Sequence, residues 1–148
     1  MSTYPIFLEL SGRKVVIIGA GTVAVRKARQ LIDTGAQIVI TAKKVSDEMA
    51  SLCNRNTNTE LIISDYNKNL LDRAVIAIAA TSDSELNKQI HEDCQQLGVL
   101  CNVCDEPQYC DFFVPAVLKQ GDLQIAIGTN GTCPAYASHI RKKLEHTF

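Results

Sequence analysis

Apolar and polar positions along the chain change rhythm repeatedly. Runs of β type stand at Val15 to Ile18, Gln37 to Thr41, Glu60 to Ser64, Ala74 to Ala79 and Val99 to Val103, with helical spacing between them. The first intervening stretch predicts a helix from about Thr22 to Thr34, with Val23, Ala24, Ala28, Leu31 and Ile32 on its buried side and Gly35 as its stop signal. Ser46 is placed to cap a second helix through about Asn54. Ser82-Asp83-Ser84-Glu85 reads as a capping box for a third, running to about Leu97 and stopping at Gly98. Ala74 to Ala79 is almost wholly apolar, the pattern of a central parallel strand buried on both faces. Strand and helix alternating through about residue 110 predict an α/β fold: a Rossmann-like, doubly wound parallel sheet with helices on both faces.

The grammar then changes. Phe112 to Lys119 and Leu123 to Gly128 are two β-type runs around a Gln120-Gly121-Asp122 turn, and a final helix starts near Pro134. This predicts a dinucleotide-binding domain over residues 1–111 and a hairpin-plus-helix segment over 112–148. A segment of about 35 residues is too small to build its own core. Phe112, Phe113, Val114, Val117 and Leu118, with Leu123, Ile125 and Ile127 opposite, would leave an exposed apolar patch unless covered. The segment must pack on the sheet or on a second copy of itself, and a homodimer built through it is the expectation over simple intrachain packing.

Composition narrows the classes of function. Of the 148 residues 46% are hydrophobic and the net charge is −1, so a sizeable core is available and no basic stripe offers itself to nucleic acid. No secretion signal opens the chain, and the longest apolar run falls far short of the roughly 20 residues that span a bilayer. A cytoplasmic protein without a membrane partner is expected. Cys53, Cys94, Cys101, Cys104, Cys110 and Cys133 then read as reduced thiols. Cys101-x-x-Cys104 followed by Cys110 has a metal-like spacing but lacks the two close pairs of a structural zinc site, and no metal is expected there.

Candidate chemistry begins at Lys14-Val15-Val16-Ile17-Ile18-Gly19-Ala20-Gly21-Thr22-Val23-Ala24, an apolar strand entering a Gly-x-Gly-x-x-Ala turn that opens into a helix. Gly19 permits the tight turn, Gly21 lets backbone approach a pyrophosphate, and Ala24 lets the helix lie close to the strand. The helix N-terminus would face the phosphates. A glycine fingerprint alone is weak; the strand-to-helix context is what strengthens this one.

Further motifs follow in order: Tyr4-Pro5-Ile6-Phe7, the glycine turn running on to Arg26-Lys27, Ala79-Ala80-Thr81-x-Asp83, Cys101-Asn102-Val103-x-Asp105, Phe112-Phe113-Val114-Pro115-Ala116 and the helix Pro134 to Leu144. With these the chain, from about Tyr4 to Glu145, closely resembles the precorrin-2 dehydrogenase family, the dehydrogenase and ferrochelatase module of sirohaem synthase. The resemblance implies NAD-dependent oxidation of precorrin-2 to sirohydrochlorin, in some members followed by insertion of ferrous iron, and a homodimer. It implies that Asp105 is the catalytic carboxylate. Its cofactor contacts carry over onto Gly19, Gly21, Thr22, Val23 and Ala24, onto Lys43 and Lys44 beyond the second strand, and onto Thr81 and Asp83 beyond the fourth.

Two departures from the pattern matter. The acid that usually meets the ribose 2′-hydroxyl is absent, because Thr41-Ala42-Lys43-Lys44 stands there, and two lysines suit a 2′-phosphate, which leaves NADP open beside NAD. A solvated loop is the plain alternative for both lysines. The loop usually rich in serine and glycine is Gly128-Thr129-Asn130-Gly131-Thr132 here, and Asn130 tolerates a left-handed backbone. Precorrin-2 carries carboxylates, so Asn102, Thr129, Asn130 and Gly131 are the substrate-binding expectation, with helix N-terminal amides as donors. Arg141, Lys142 and Lys143 could add positive charge, or merely complement the helix dipole. His91, His139 and His146 share no metal spacing and read as surface or satisfied residues.

Relatives usually continue into a helical domain over the tetrapyrrole, and that domain is expected to be absent here. Two other classes stay open: a non-catalytic, dimeric NAD-binding or redox-sensing module, in which Asp105 would be dispensable, and a tetrapyrrole chelatase or carrier with a vestigial nucleotide site. The glycine turn and Asp105 in one chain argue against both.

Overall fold

Five short segments, four of them rich in β-branched residues, pair in parallel: β1 (Lys14–Ile18), β2 (Gln37–Ala42), β3 (Thr59–Ile63), β4 (Ala74–Ala79) and β5 (Leu100–Val103). The structure, a computed structural model, describes residues 3–147. They fall into two units: Phe7–Asp111, which holds this sheet, and a second made from the chain's first residues up to Ile6 and those from Phe112 on.

Within the first unit the strand order is β3-β2-β1-β4-β5. The chain steps outward from β1 to β3, then crosses back to lay β4 on the other side of β1. Reversal of direction between β1 and β4 opens a crevice at the carboxyl ends of those strands, where ligands bind in sheets of this kind. Three helices make the crossovers: α1 (Thr22–Ile32), α2 (Asp47–Arg55) and α3 (Ser84–Leu97). The step from β3 to β4 instead uses a single 3-10 turn, Lys68–Leu71, so the alternation of strand and helix breaks once.

Both faces of the sheet are buried at β1, β2 and β4, which explains why these strands read as nearly continuous apolar runs. Val16, Ile18, Val39, Ala77, Ala79, Cys101 and Val103 pack with Ile90 and Cys94 of α3. Alternation sends Val15, Ile17, Ile38 and Ile40 to the opposite face. There the buried residues of α1 (Ala24, Val25, Ala28) and of α2 (Met49) cover them.

Local details differ from the sequence pattern. α1 stops at Ile32, because Thr34 turns its hydroxyl back onto the Leu31 carbonyl (2.6 Å), and Val25 rather than Val23 faces the core. The cap of α3 is Asp83 and not Ser82: its carboxylate accepts from the Leu86 N–H at 3.1 Å. β5 begins at Leu100, one residue late.

In the second unit β6 (Ala116–Gln120) and β7 (Leu123–Ile127) form an antiparallel hairpin around Gly121-Asp122, with Gly121 at φ 57°. Phe112 to Pro115, expected as strand, is irregular and precedes it. α4 (Pro134–Leu144) packs on the hairpin; Leu118 and Ala137 are buried, whereas Val114, Val117, Leu123 and Tyr136 stay exposed. Among the described residues no helix is long and apolar enough to cross a membrane.

Candidate functional site

Backbone hydrogen bonds stitch the loops leaving the sheet into one edge. Gly19 N–H donates to the Thr41 carbonyl (2.8 Å), Ala80 N–H to Ile18 (2.8 Å), Cys104 N–H to Ala79 (2.9 Å) and Ser64 N–H to Ala42 (3.2 Å). Each of these continues a parallel ladder one residue past a strand's end. The glycine turn, Lys43 and Lys44, Thr81 to Asp83, and Asp105 are therefore all held beyond the carboxyl ends of the strands, the ligand side of such a sheet.

The glycine turn divides its two glycines between two tasks. Gly19, at φ 118°, lies so close to the loop after β4 that a β-carbon there would stand 2.3 Å from the Ala80 carbonyl oxygen. Gly21 faces open space, with nothing within 4 Å of where its β-carbon would be. It is also the N-cap of α1, which has no side-chain cap and no acid in its first turn. The other two sheet helices are closed off by Ser46 and Asp83 and carry Asp47, Glu48 or Glu85 in their first turns. Of the three sheet helices, α1 alone thus presents bare N–H groups and an unopposed dipole toward an open space, and a pyrophosphate fits that donor set. Thr22 is exposed and Val23 half-buried at this end, while Ala24 is fully buried.

Two side chains whose part in this edge the sequence did not reveal hold its loops, one the glycine turn and the other the loop after β4. Ser46 donates its hydroxyl to the Ala20 carbonyl (2.8 Å) while accepting from Met49 N–H, so the cap of α2 also anchors the centre of the glycine turn. Asn87, buried on α3, exchanges two bonds with Thr81: the Thr81 hydroxyl donates to Asn87 Oδ1 (2.7 Å) and Asn87 Nδ2 donates to the Thr81 carbonyl (3.1 Å). A buried amide four residues after the helix cap was the available signal. Thr81 and Asp83 are accordingly engaged in shaping their own loop, and the Asp83 N–H also donates to the Thr81 hydroxyl.

Lys43 and Lys44 are exposed. Lys43 Nζ lies 2.6 Å from Asp65 Oδ1, an acid that follows β3.

Asp105 is exposed and sits at φ 67°, a left-handed conformation that Asp and Asn adopt more readily than most residues. Its loop is clamped at the base by Asp111. Asp111 N–H donates to the Cys101 carbonyl and Cys101 N–H to Asp111 Oδ2, both at 2.8 Å, while Gln95 Nε2 holds both carboxylate oxygens. Asn102 is buried beneath the loop and donates to Cys110 Sγ (3.5 Å), and that thiol donates to the Val103 carbonyl (3.2 Å). Burial pushes the Cys104 and Cys110 thiols up; the positive charge of Lys27 pulls each the other way. All six cysteines are free thiols. Among the described residues no group of three or more His, Cys, Asp or Glu could hold a metal ion. His91 differs from its expectation: its Nδ1 is buried without a partner, beside the Tyr109 ring at 5.1 Å.

In the second unit, the loop before α4 turns on Asn130 (φ 51°) and Gly131 (φ 76°). Thr129 closes it, accepting Thr132 N–H on its carbonyl (3.0 Å) and Cys133 N–H on its hydroxyl (3.1 Å). Asn130 Oδ1 accepts from the Thr3 hydroxyl. α4 has no side-chain cap and begins with Pro134. Arg141 pairs with Glu145 one turn on, whereas Lys142 and Lys143 are exposed.

Comparison with known proteins agrees with this geometry. Residues 6–116 match the family described as "Putative NAD(P)-binding", and residues 120–147 match that described as "Sirohaem biosynthesis protein central". A "Siroheme synthase" of Psychrobacter arcticus is 41% identical over 145 residues, covering 98% of this chain and 26% of that protein. A "Siroheme synthase" of Escherichia coli O1:K1 is 35% identical over 145 residues, covering 98% of this chain and 32% of that one. The chain thus spans between about a quarter and a third of the length of these curated relatives. A solved structure of "SirC, precorrin-2 dehydrogenase" superposes with a TM-score of 0.84 at 25% identity, covering 99% of this chain and 71% of that one. Because the two matched segments together run through nearly the whole chain, it belongs to the precorrin-2 dehydrogenase family of sirohaem biosynthesis proteins.

Proposed function

We propose that the chain oxidises precorrin-2 to sirohydrochlorin, with a nicotinamide dinucleotide taking up the electrons. The observation that carries this reading is the stitched carboxyl edge, on which an uncapped helix start at Gly21 and the exposed Asp105 carboxylate occur together. Thr22 and Val23 N–H groups hold the pyrophosphate, Gly21 leaves room for it, and Ala24 keeps α1 close to β1. The loop Thr81 to Asp83 and the Lys43-Lys44 corner border the nucleotide. When bound, the nicotinamide supplies a hydride acceptor. Oxidation removes two hydrogens from the macrocycle, one as hydride and one as proton, and Asp105 accepts the proton. Asn102, from beneath, fixes the loop that carries Asp105. Thr129, Asn130 and Gly131, with the open start of α4, offer N–H groups to substrate carboxylates.

Three finer statements belong to the same reading. Ferrous iron is proposed as a further substrate: its insertion displaces two pyrrole protons, which Asp105 accepts one after the other, passing each on to solvent. The exposed Val117 and Leu123 of the hairpin are covered in a homodimer, which sedimentation at rising concentration reads directly. The protein works in the cytoplasm.

The test is anaerobic incubation with precorrin-2 and NAD or NADP, following reduced nicotinamide and the sirohydrochlorin spectrum, with Asp105→Asn alongside. Asparagine tolerates the left-handed backbone at this position but cannot take the proton. Both products appearing together, and lost in the variant, is the expected result. Nucleotide binding without either product would overturn the dehydrogenase reading in favour of a binding module.

A further inference from the structure

The proposed function leaves the choice between NAD and NADP to the corner beyond β2, and the inference here rests on that reading. In sheets of this type an acid at the end of the second strand accepts from the ribose 2′-hydroxyl, and its charge turns away a 2′-phosphate. β2 ends in Thr41-Ala42 and is followed by Lys43 and Lys44, which by themselves favour the phosphate.

The neighbouring strand changes the balance. β3 runs parallel to β2 with Ala42 opposite Ile63, and Ser64 N–H continues the ladder onto the Ala42 carbonyl. The Thr41 and Ser64 hydroxyls lie 3.3 Å apart, a second link between the two strand ends. Asp65, the next residue, is thereby delivered beside Lys43, with Oδ1 2.6 Å from Nζ. Both side chains are 75% exposed, so the pair adds little to stability and its carboxylate is open to a ligand.

We infer that Asp65 is the specificity-determining carboxylate of the nucleotide site, supplied by β3 in place of the missing acid of β2, with Lys43 as its counter-ion. The carboxylate accepts from the ribose hydroxyl of NAD. Against NADP it sets a negative charge beside a phosphate that carries about two of its own at neutral pH, and it occupies the lysine that would otherwise receive that phosphate. The basic pair Lys43-Lys44 is thus converted from an NADP signal into part of an NAD site.

Equilibrium titration of the full chain with NAD and with NADP, at fixed salt, tests this in the wild type, Asp65→Asn, Lys43→Ala and the double variant. The expected result is tighter binding of NAD by the wild type. In Asp65→Asn the ratio of NAD to NADP affinity falls about ten-fold, equivalent to about 1.4 kcal/mol, and adding Lys43→Ala cancels the gain for NADP. An unchanged ratio in Asp65→Asn, with both nucleotides still bound, overturns the inference alone. Failure of the wild type to bind either nucleotide overturns the dinucleotide reading and this inference with it. Unchanged thermal midpoints across the set are expected, because both side chains are solvated.

Discussion

Gly19 and Ala80 are in contact so close that one added carbon would break it: the β-carbon of any other residue at position 19 would lie 2.3 Å from the Ala80 carbonyl oxygen. That carbonyl is backbone, one peptide past the Ala80 N–H bond to Ile18, so relief of the clash requires the loop after β4 to shift. Gly19→Ala is therefore expected to destabilise the fold by about 3 kcal/mol or more, from the clash together with a φ of 118° that side chains avoid. Gly21→Ala meets open space and is expected to cost only about 0.5–1 kcal/mol, as alanine replaces glycine at a helix N-cap. Its methyl group enters the region assigned to the pyrophosphate, so NAD affinity should fall far more than stability. Thermal melts and NAD titrations of the two variants, taken side by side, check the division. Equal losses of stability in both would sink it.

Asn87→Ala removes both bonds from α3 to Thr81 and leaves the Thr81 hydroxyl with only its contacts to Asp83. The expected loss is about 1–3 kcal/mol, measured by urea unfolding. Nucleotide binding should weaken in step, since the loop after β4 loses its fixed shape. Asn87→Asp, which can still accept from the Thr81 hydroxyl but cannot donate to its carbonyl, should fall between. A wild-type-like Asn87→Ala would mean that Thr81 is held by the backbone alone.

How much of this was legible beforehand follows from what kind of force set each feature. Ala74 to Ala79 was readable to the residue as β4, because burial on both faces leaves no polar position in the strand. Gly98, at φ 68°, ended α3 where its sequence said it would. The cap of α3 slipped from Ser82 to Asp83 because both residues can cap, and tertiary placement of Thr81 decided between them. Phe112 to Pro115 looked like strand by composition, yet pairing begins only at Ala116, and pairing is not a local property. Asp65 and Asp111 could not be found from spacing at all. Asp65 reaches Lys43 across two strand ends and Asp111 folds back onto Cys101 of β5, contacts between residues far apart in sequence that exist only in the folded chain.

Alkaline stability follows from the buried acids that stay protonated. Cys101 is held above its ordinary value of 9.0 by its contact with Cys94 and by burial. Cys104 and Cys110 are raised chiefly by burial, and Tyr66 is raised from 10.0 by burial and by its bond to Asp93. A raised folded pKa means that the native state keeps a proton the unfolded chain releases. The stabilisation is complete below the unfolded pKa and is lost as pH climbs through the folded one. Unfolding free energy is therefore expected to decline from about pH 9 upward. Cys101→Ala should flatten the onset of that decline, and urea melts between neutral and strongly alkaline pH measure it.

Asp111 offers a way to disturb the Asp105 loop without touching Asp105. Asp111→Ala strands the buried Cys101 N–H and frees the Gln95 side chain, which should cost about 1–3 kcal/mol. The glycine turn lies on β1 and its anchors, Ser46 and Thr41, are separate from this clamp. NAD affinity should consequently stay near wild type while turnover of precorrin-2 drops, because Asp105, the proton acceptor in the function proposed above, is no longer held at a fixed position. Asp111→Asn, which retains an acceptor for Cys101 N–H, should recover part of the turnover. Single-turnover rates set beside NAD titrations separate the two effects. Loss of NAD affinity in parallel with turnover would mean that the edge of the sheet moves as one body, and that Asp105 has no loop of its own to lose.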